Sequence, residues 1–191
     1  MKITEKILAG LVIVGLAMKF EGLPFNGVVL ILALTSLAML YYPIGIVFLN
    51  DLRLRDALKK SALAKMGAKR IVAAALTGLA LSCLLIGILF KVQLWPGSKV
   101  MLAAGLTLSA LGVAITLFIY AKRKSEFYKK NLIRLGIWGG LGLTIALVSD
   151  HTLIDIYFAD ESEEYRKVFK MVQDNPNDQE LREQLMEMEM K

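Results

Sequence analysis

The sequence predicts an all-α integral membrane protein. Five transmembrane helices are expected, four forming two tandem hairpins and the fifth a single span, followed by a short helical C-terminal tail. Three observations carry this. Of 191 residues, 56% are hydrophobic, with a mean hydropathy of +0.56, above the roughly 45–50% apolar share of soluble domains. Charge is partitioned: residues 1–149 hold 18 basic and 5 acidic groups, whereas residues 150–191 hold 5 basic and 12 acidic. Finally, the stretch from Gly15 to Met39 returns at Gly87 to Leu111, displaced by 72 residues.

The first hairpin occupies residues 1–50. Lys2 and Lys6 precede the apolar run Ile7 to Met18. Lys19 closes that run where a signal peptide would need a small-residue cleavage site, so the run reads as a retained helix. After a turn at Glu21 to Asn26 comes a second run, Gly27 to Leu49, interrupted by Pro43. Proline removes a backbone donor and crowds the carbonyl four residues back, which predicts a kink near Met39 to Pro43.

Residues 51–70 form a basic loop with Arg53, Arg55, Lys59, Lys60, Lys65, Lys69 and Arg70 against Asp51 and Asp56. Such density beside spans marks the cytoplasmic side. Leu49, Leu52, Leu63 and Met66 give it weak amphipathic character, suited to anionic lipid headgroups.

The second hairpin, residues 71–121, joins Ile71–Phe90 to Val100–Tyr120 through a turn at Lys91 to Ser98. A second basic loop at 122–131 follows. The fifth helix, 132–149, is glycine-rich, and its Gly136/Gly140 pair suits close helix packing, as do Ala74/Gly78 and Ala110/Ala114. With two basic loops two spans apart, the N-terminus is cytoplasmic and the tail lies outside. A re-entrant fifth run would instead leave the tail in the cytoplasm.

The acidic tail, 150–191, predicts two short amphipathic helices. Asp160 and Glu163 make a capping box before Tyr165, Val168, Phe169 and Val172; Asn177 and Glu180 repeat the device before Leu181, Leu185 and Met188. A pair this small buries little apolar area alone, so it should dock on a partner, a second copy or the membrane surface. Tyr165 and Phe169 are its candidate contact residues.

Lys19 and Lys91 sit at span ends in register. Their simplest role is to extend to lipid headgroups, the sharper alternative being to pair with a partner subunit's carboxylate. Trp95 beside the second turn reads as an interfacial anchor, and Trp138 as a packing residue. The lone Cys83 excludes an intramolecular disulfide. His151 with Asp150 and Asp155 is an incomplete metal set, and no P-loop or dinucleotide fingerprint is present. No catalytic, cofactor or metal site is therefore expected. The five carboxylates before the tail, Glu5, Glu21, Asp51, Asp56 and Glu126, lie at or beyond the expected span ends. An acid within the bilayer is thus not anticipated.

The repeat aligns 25 residue pairs with eight identities, among them Gly15/Gly87, Lys19/Lys91 and Pro24/Pro96. Gly87 to Ala110, and more faintly Gly15 to Ala38, resembles the transmembrane hairpin of GldL, the inner-membrane motor protein of gliding motility and type 9 secretion in Bacteroidota. The shared features are the glycine before the lysine, Phe90-Lys91, the turn proline, Val100-Met101-Leu102 and Gly105-Leu106. The resemblance covers about 25 residues per copy and stops short of the loops, fifth span and tail. It implies a bacterial inner-membrane location, and inner-membrane proteins or further copies of the chain as partners; the loop charges, not the resemblance, put the tail in the periplasm. GldL carries a glutamate in its second helix; the aligned positions here are Leu37 and Ser109, and only the lysine carries over, to Lys19 and Lys91.

The function expected is that of a non-enzymatic, GldL-related subunit or scaffold of a larger inner-membrane assembly. An ion-coupled motor or transport component of a gliding or type 9 secretion-like system is the alternative. Nucleic acid is not an expected partner, because basic loops beside spans account for the pI near 9.4.

Overall fold

The computed structural model describes residues 3–42, 44–50, 52 and 67–190. The described residues form nine α-helices and no strand: α1 Ile3–Phe20, α2 Asn26–Tyr41, α3 Gly45–Leu49, α4 Ala68–Val92, α5 Ser98–Arg123, α6 Glu126–Leu147, α7 Asp150–Tyr157, α8 Glu163–Asp174 and α9 Gln179–Glu189. The lipid-facing reading of Leu63 and Met66, and most of the basic segment after Asn50, lies outside the described residues.

Two helices, α4 and α5, are each long and apolar enough to cross a membrane, with peak mean hydropathies of 2.5 and 2.2. A third candidate is α6 taken with α7, across an 85° bend. By the same measure α1 falls short because Glu5, Lys6 and Lys19 interrupt it. At 16 residues α2 spans only about 24 Å. These apolar helices are compatible with a membrane-embedded protein. Large apolar side chains also stand exposed on the outer faces, among them Ile13, Leu32, Leu111, Ile115, Phe118, Ile137 and Leu143. A helix apolar on its outward face as well as its inward one belongs in lipid or under a partner.

At the centre lies α4, packed against α2, α3, α5 and α6. Leu81, Leu84, Leu85 and Ile88 are wholly buried, together with Leu30, Leu34 and Leu37 of α2. Small residues let the backbones approach. A methyl on Gly87 would come within 2.7 Å of the Leu102 Cα, one on Gly105 within 2.6 Å of the Leu84 Cα, and one on Gly78 within 2.2 Å of the Tyr41 carbonyl oxygen.

Two of the three expected small-residue seams are corrected here. Ala74 and Gly78 are buried, but Ala110, Ala114, Gly136 and Gly140 face outward, and a methyl on Gly136 or Gly140 would meet nothing within 4 Å. Close approach on α5 and α6 uses Gly105 and Gly142 instead. Small-xxx-small spacing names a face, not its neighbour, and the inward arc of α5 carries Leu102, Gly105, Ser109 and Thr116.

The two hairpin turns match in register. Gly22 and Phe25 have φ of 65° and 63°; Leu94 and Gly97, each displaced by 72 residues, have φ of 55° and 80°. Each first helix ends in a Schellman pair of hydrogen bonds: Gly22 N to Lys19 O and Leu23 N to Met18 O in one, Leu94 N to Lys91 O and Trp95 N to Phe90 O in the other. A proline then follows in both, at Pro24 and Pro96. The pairing of positions repeats too: Gly15 lies against the Leu30 side chain, and Gly87 against the Leu102 backbone.

The expected elements differ from the observed ones in three places. The second run is two helices, α2 ending at Tyr41 and α3 starting at Gly45, so the interruption around position 43 separates helices rather than bending one. The loop expected at 122–131 narrows to Lys124 and Ser125, because α6 already begins at Glu126. The tail holds three helices, with α7 preceding the expected pair. Caps also shift: Ser162 Oγ accepts from Tyr165 N at 3.1 Å and Asp178 Oδ1 from Glu180 N at 3.1 Å, displacing Asp160 and Asn177. Each true cap directly precedes its helix, where the orphan N–H groups are within reach.

Candidate functional site: two buried ionic clusters

The charged groups of the bundle gather at its two ends. One cluster joins the start of α1, the end of α2 and the first half of α6. Glu5, 0% exposed, takes a forked contact from Arg134, with Nε to Oε1 at 2.7 Å and Nη2 to Oε2 at 3.1 Å. The Tyr41 hydroxyl donates to the same Oε1 at 2.5 Å and accepts from Trp138 Nε1 at 3.3 Å. Phe48 lies under the guanidinium, 5.8 Å from Cζ to its ring centroid. Planar guanidinium and carboxylate match in two parallel bonds, and desolvation strengthens each.

Glu5, expected at or beyond a span end, is buried among the helices. Position 5 sits before the apolar run, but the helix starts at Ile3, so Glu5 enters the first turn on the face that meets α2 and α6. Its partners lie 36 and 129 residues away, beyond any local signal. Nearby, Asn131 is 1% exposed, and its amide has no hydrogen-bond partner among the described residues. Arg70 completes this end, donating from Nε to Asn50 Oδ1 at 2.7 Å and stacking over Phe127 at 4.8 Å.

The opposite end is organised by α7. Ser149 caps it, its hydroxyl accepting from Thr152 N at 3.0 Å. Asp150 in the first turn is buried and pairs with the buried Lys91 ammonium, while Lys99 stands 3.5 Å from its second oxygen. At the far end of α7, the Tyr157 ring receives the Lys19 ammonium at 4.7 Å from its centroid and packs on Phe20 at 5.9 Å. One eight-residue helix therefore meets both repeat lysines, one with a carboxylate and the other with an aromatic face.

The tail continues from this platform. Leu94, Leu153 and Ile154 form a small core over which Val148, Tyr157, Phe158 and Phe169 pack. Lys170 of α8 donates to both oxygens of Asp155 at 2.6 and 2.7 Å, and His151 Nε2 lies 3.0 Å from Asp174. The Lys170 ammonium holds the Asp155 carboxyl below its ordinary value. Tyr165 stacks on Phe158 at 5.5 Å and donates to Glu189 of α9 at 3.2 Å. Burial, then the Glu189 charge, pushes its phenol up to about 12.

Of the singled-out residues, Lys91 is committed to Asp150, Lys19 to Tyr157, and Tyr165 and Phe169 to the tail's own packing. Trp95 is 37% exposed and packs edge-on against Phe90 at 5.1 Å. His151 and Asp155 diverge to different partners on α8, and no group of three His, Cys, Asp or Glu ligands occurs among the described residues. An open cavity of about 470 Å³ lies between Lys91, Lys99, Asp150, His151 and Asp174.

Comparison with protein-family models, curated proteins and solved structures finds no match to this chain.

Proposed function

We propose that this chain is a non-enzymatic, multi-span subunit or scaffold of a larger inner-membrane assembly. It crosses the bilayer five times through α1, α2, α4, α5 and α6, with its N-terminus cytoplasmic and its tail periplasmic. Related copies of the chain or other inner-membrane proteins are its partners, and the duplicated lysine-proline hairpin links it to GldL. The observation that carries this reading is the tail. Ion pairs and aromatic contacts hold α7 and α8 on the end of the bundle, whereas α9 buries no residue and leaves Met186 exposed, as is Met190 just past its end. A rigid base that presents an unfilled amphipathic helix suits recruitment.

Gentle detergent extraction of the tagged chain from its native host, with mass spectrometry of stoichiometric co-purifying proteins, tests this. Truncation after Asn177 should release the partner while the bundle stays membrane-inserted. A full-length chain extracted alone would overturn the subunit reading.

A second reading, an ion-coupled motor or transport component, is favoured by one observation: a fully buried carboxylate at Glu5, held between three helices. Buried ionisable groups are the usual mark of coupled pathways. Glu5 here is closed in by Arg134 and Tyr41, an arrangement that suits a structural latch better than a carrier. Ion-driven function abolished by Glu5→Asp, with assembly and thermal stability intact, would favour the second reading over the first.

A further inference from the structure

Between the start of α4 and the end of α5 runs an open apolar cavity of about 470 Å³, walled by Val72, Ala73, Leu76, Ile115 and Ile119. A second cavity, about 550 Å³, shares with it Ala68, Lys69, Arg123 and Tyr128, and adds Arg70 and Ser125. The joined space is hydrocarbon-lined at one end and cationic at the other. Three cations line it, and no carboxylate does so among the described residues.

Two details give the polar end a preset geometry. Asn50 and Phe127 fix the Arg70 guanidinium from two sides. Tyr128 lines both cavities at only 7% exposure, which places its phenol at the junction of the apolar and cationic ends.

We propose that the joined cavities seat one anionic glycerophospholipid, with an acyl chain against Val72, Leu76 and Ile115 and its phosphate facing Lys69, Arg70, Arg123 and the Tyr128 hydroxyl. Charge selects the headgroup: three cations, with no carboxylate among the described lining residues, favour a net anionic lipid over a zwitterionic one, whose ammonium would meet like charge. The apolar wall selects a lipid over a soluble phosphate, which would use only the rim. This inference rests on the membrane-embedded reading.

The full chain in mild nonionic detergent is titrated with phosphatidylglycerol and with phosphatidylcholine of the same acyl chains, and adducts are counted by native mass spectrometry. One phosphatidylglycerol should bind at least about tenfold more tightly than phosphatidylcholine. The Lys69→Gln/Arg123→Gln variant should lose that preference, and Leu76→Trp should weaken both lipids by filling the groove. Lys167→Gln on α8 should change nothing.

Equal binding of the two lipids, or preference retained in the double variant, would overturn the proposal. So would displacement of phosphatidylglycerol by glycerol phosphate at matched concentration. Reconstitution into phosphatidylcholine vesicles followed by carbonate extraction reads the membrane premise separately, because a chain that resists extraction yet lacks lipid preference refutes only the lipid seat.

Discussion

Glu5 and Arg134, 129 residues apart, meet as a forked ion pair in which the two side chains are 0% and 2% exposed. The contact ties the first helix of the chain to the last long one. Removing one partner strands a buried charge, which costs about 3–5 kcal/mol, whereas replacing both with apolar groups of similar volume is often near neutral. Thermal unfolding in detergent should show Glu5→Leu and Arg134→Met each strongly destabilised, and the double variant recovering most of the loss. Additive losses in the double variant would mean that the two residues act separately.

Glycines on the inward and outward faces should respond oppositely to alanine. At Gly87 a new methyl meets the α5 backbone at 2.7 Å, and overpacking of this kind costs about 1–3 kcal/mol. At Gly136 it meets nothing within 4 Å, and the better helix propensity of alanine should stabilise by up to about 1 kcal/mol. Comparing melting temperatures of the two variants checks the assigned faces; a destabilised Gly136→Ala would reverse the orientation of α6.

The repeat lysines should differ in weight. Lys91→Met leaves Asp150 buried against a single exposed ammonium, that of Lys99, so α7 should detach and amides from Asp150 to Tyr157 should exchange faster by an order of magnitude or more. Lys19→Met removes a cation–π contact worth about 0.5–1 kcal/mol and should alter exchange only a few-fold near Tyr157. Hydrogen exchange read by mass spectrometry separates the two.

Tail docking should weaken at both pH extremes. Asp155 has its folded value held below the ordinary 3.8 by Lys170, so its contribution is present above about pH 4 and lost as pH falls through the lowered value. Tyr165 has its folded value raised from 10.0 to about 12, so its contribution is present below pH 10 and lost as pH rises through about 12. Protease nicking between α7 and α8 should rise at both limits. Lys170→Met should abolish the acid limb, and Tyr165→Phe the alkaline one.

Much of the helical layout is legible in the sequence because it is local. Apolar runs of adequate length, the glycine and proline of each turn, and the break around position 43 report conformations that neighbouring residues impose on one another. The displacement of 72 residues predicted paired hairpins, and the matched turns at Gly22/Phe25 and Leu94/Gly97 obey it. The tail's amphipathic stripe was equally readable, although helix α7, only eight residues long, was hidden among the charges that begin the tail.

The sequence by itself determined the helical class, the repeat and the candidate residues at the span ends. Only the tertiary structure decided that Glu5 meets Arg134, that Lys91 meets Asp150, and that Gly105 and Gly142 rather than Gly136 and Gly140 admit close packing within the chain. Helix propensity and hydrophobic run length act over a few residues, so they leave their mark in the local pattern. Pairing across 59 or 129 residues depends on the rotation and depth of each helix in the bundle, which the packing of all the others sets together.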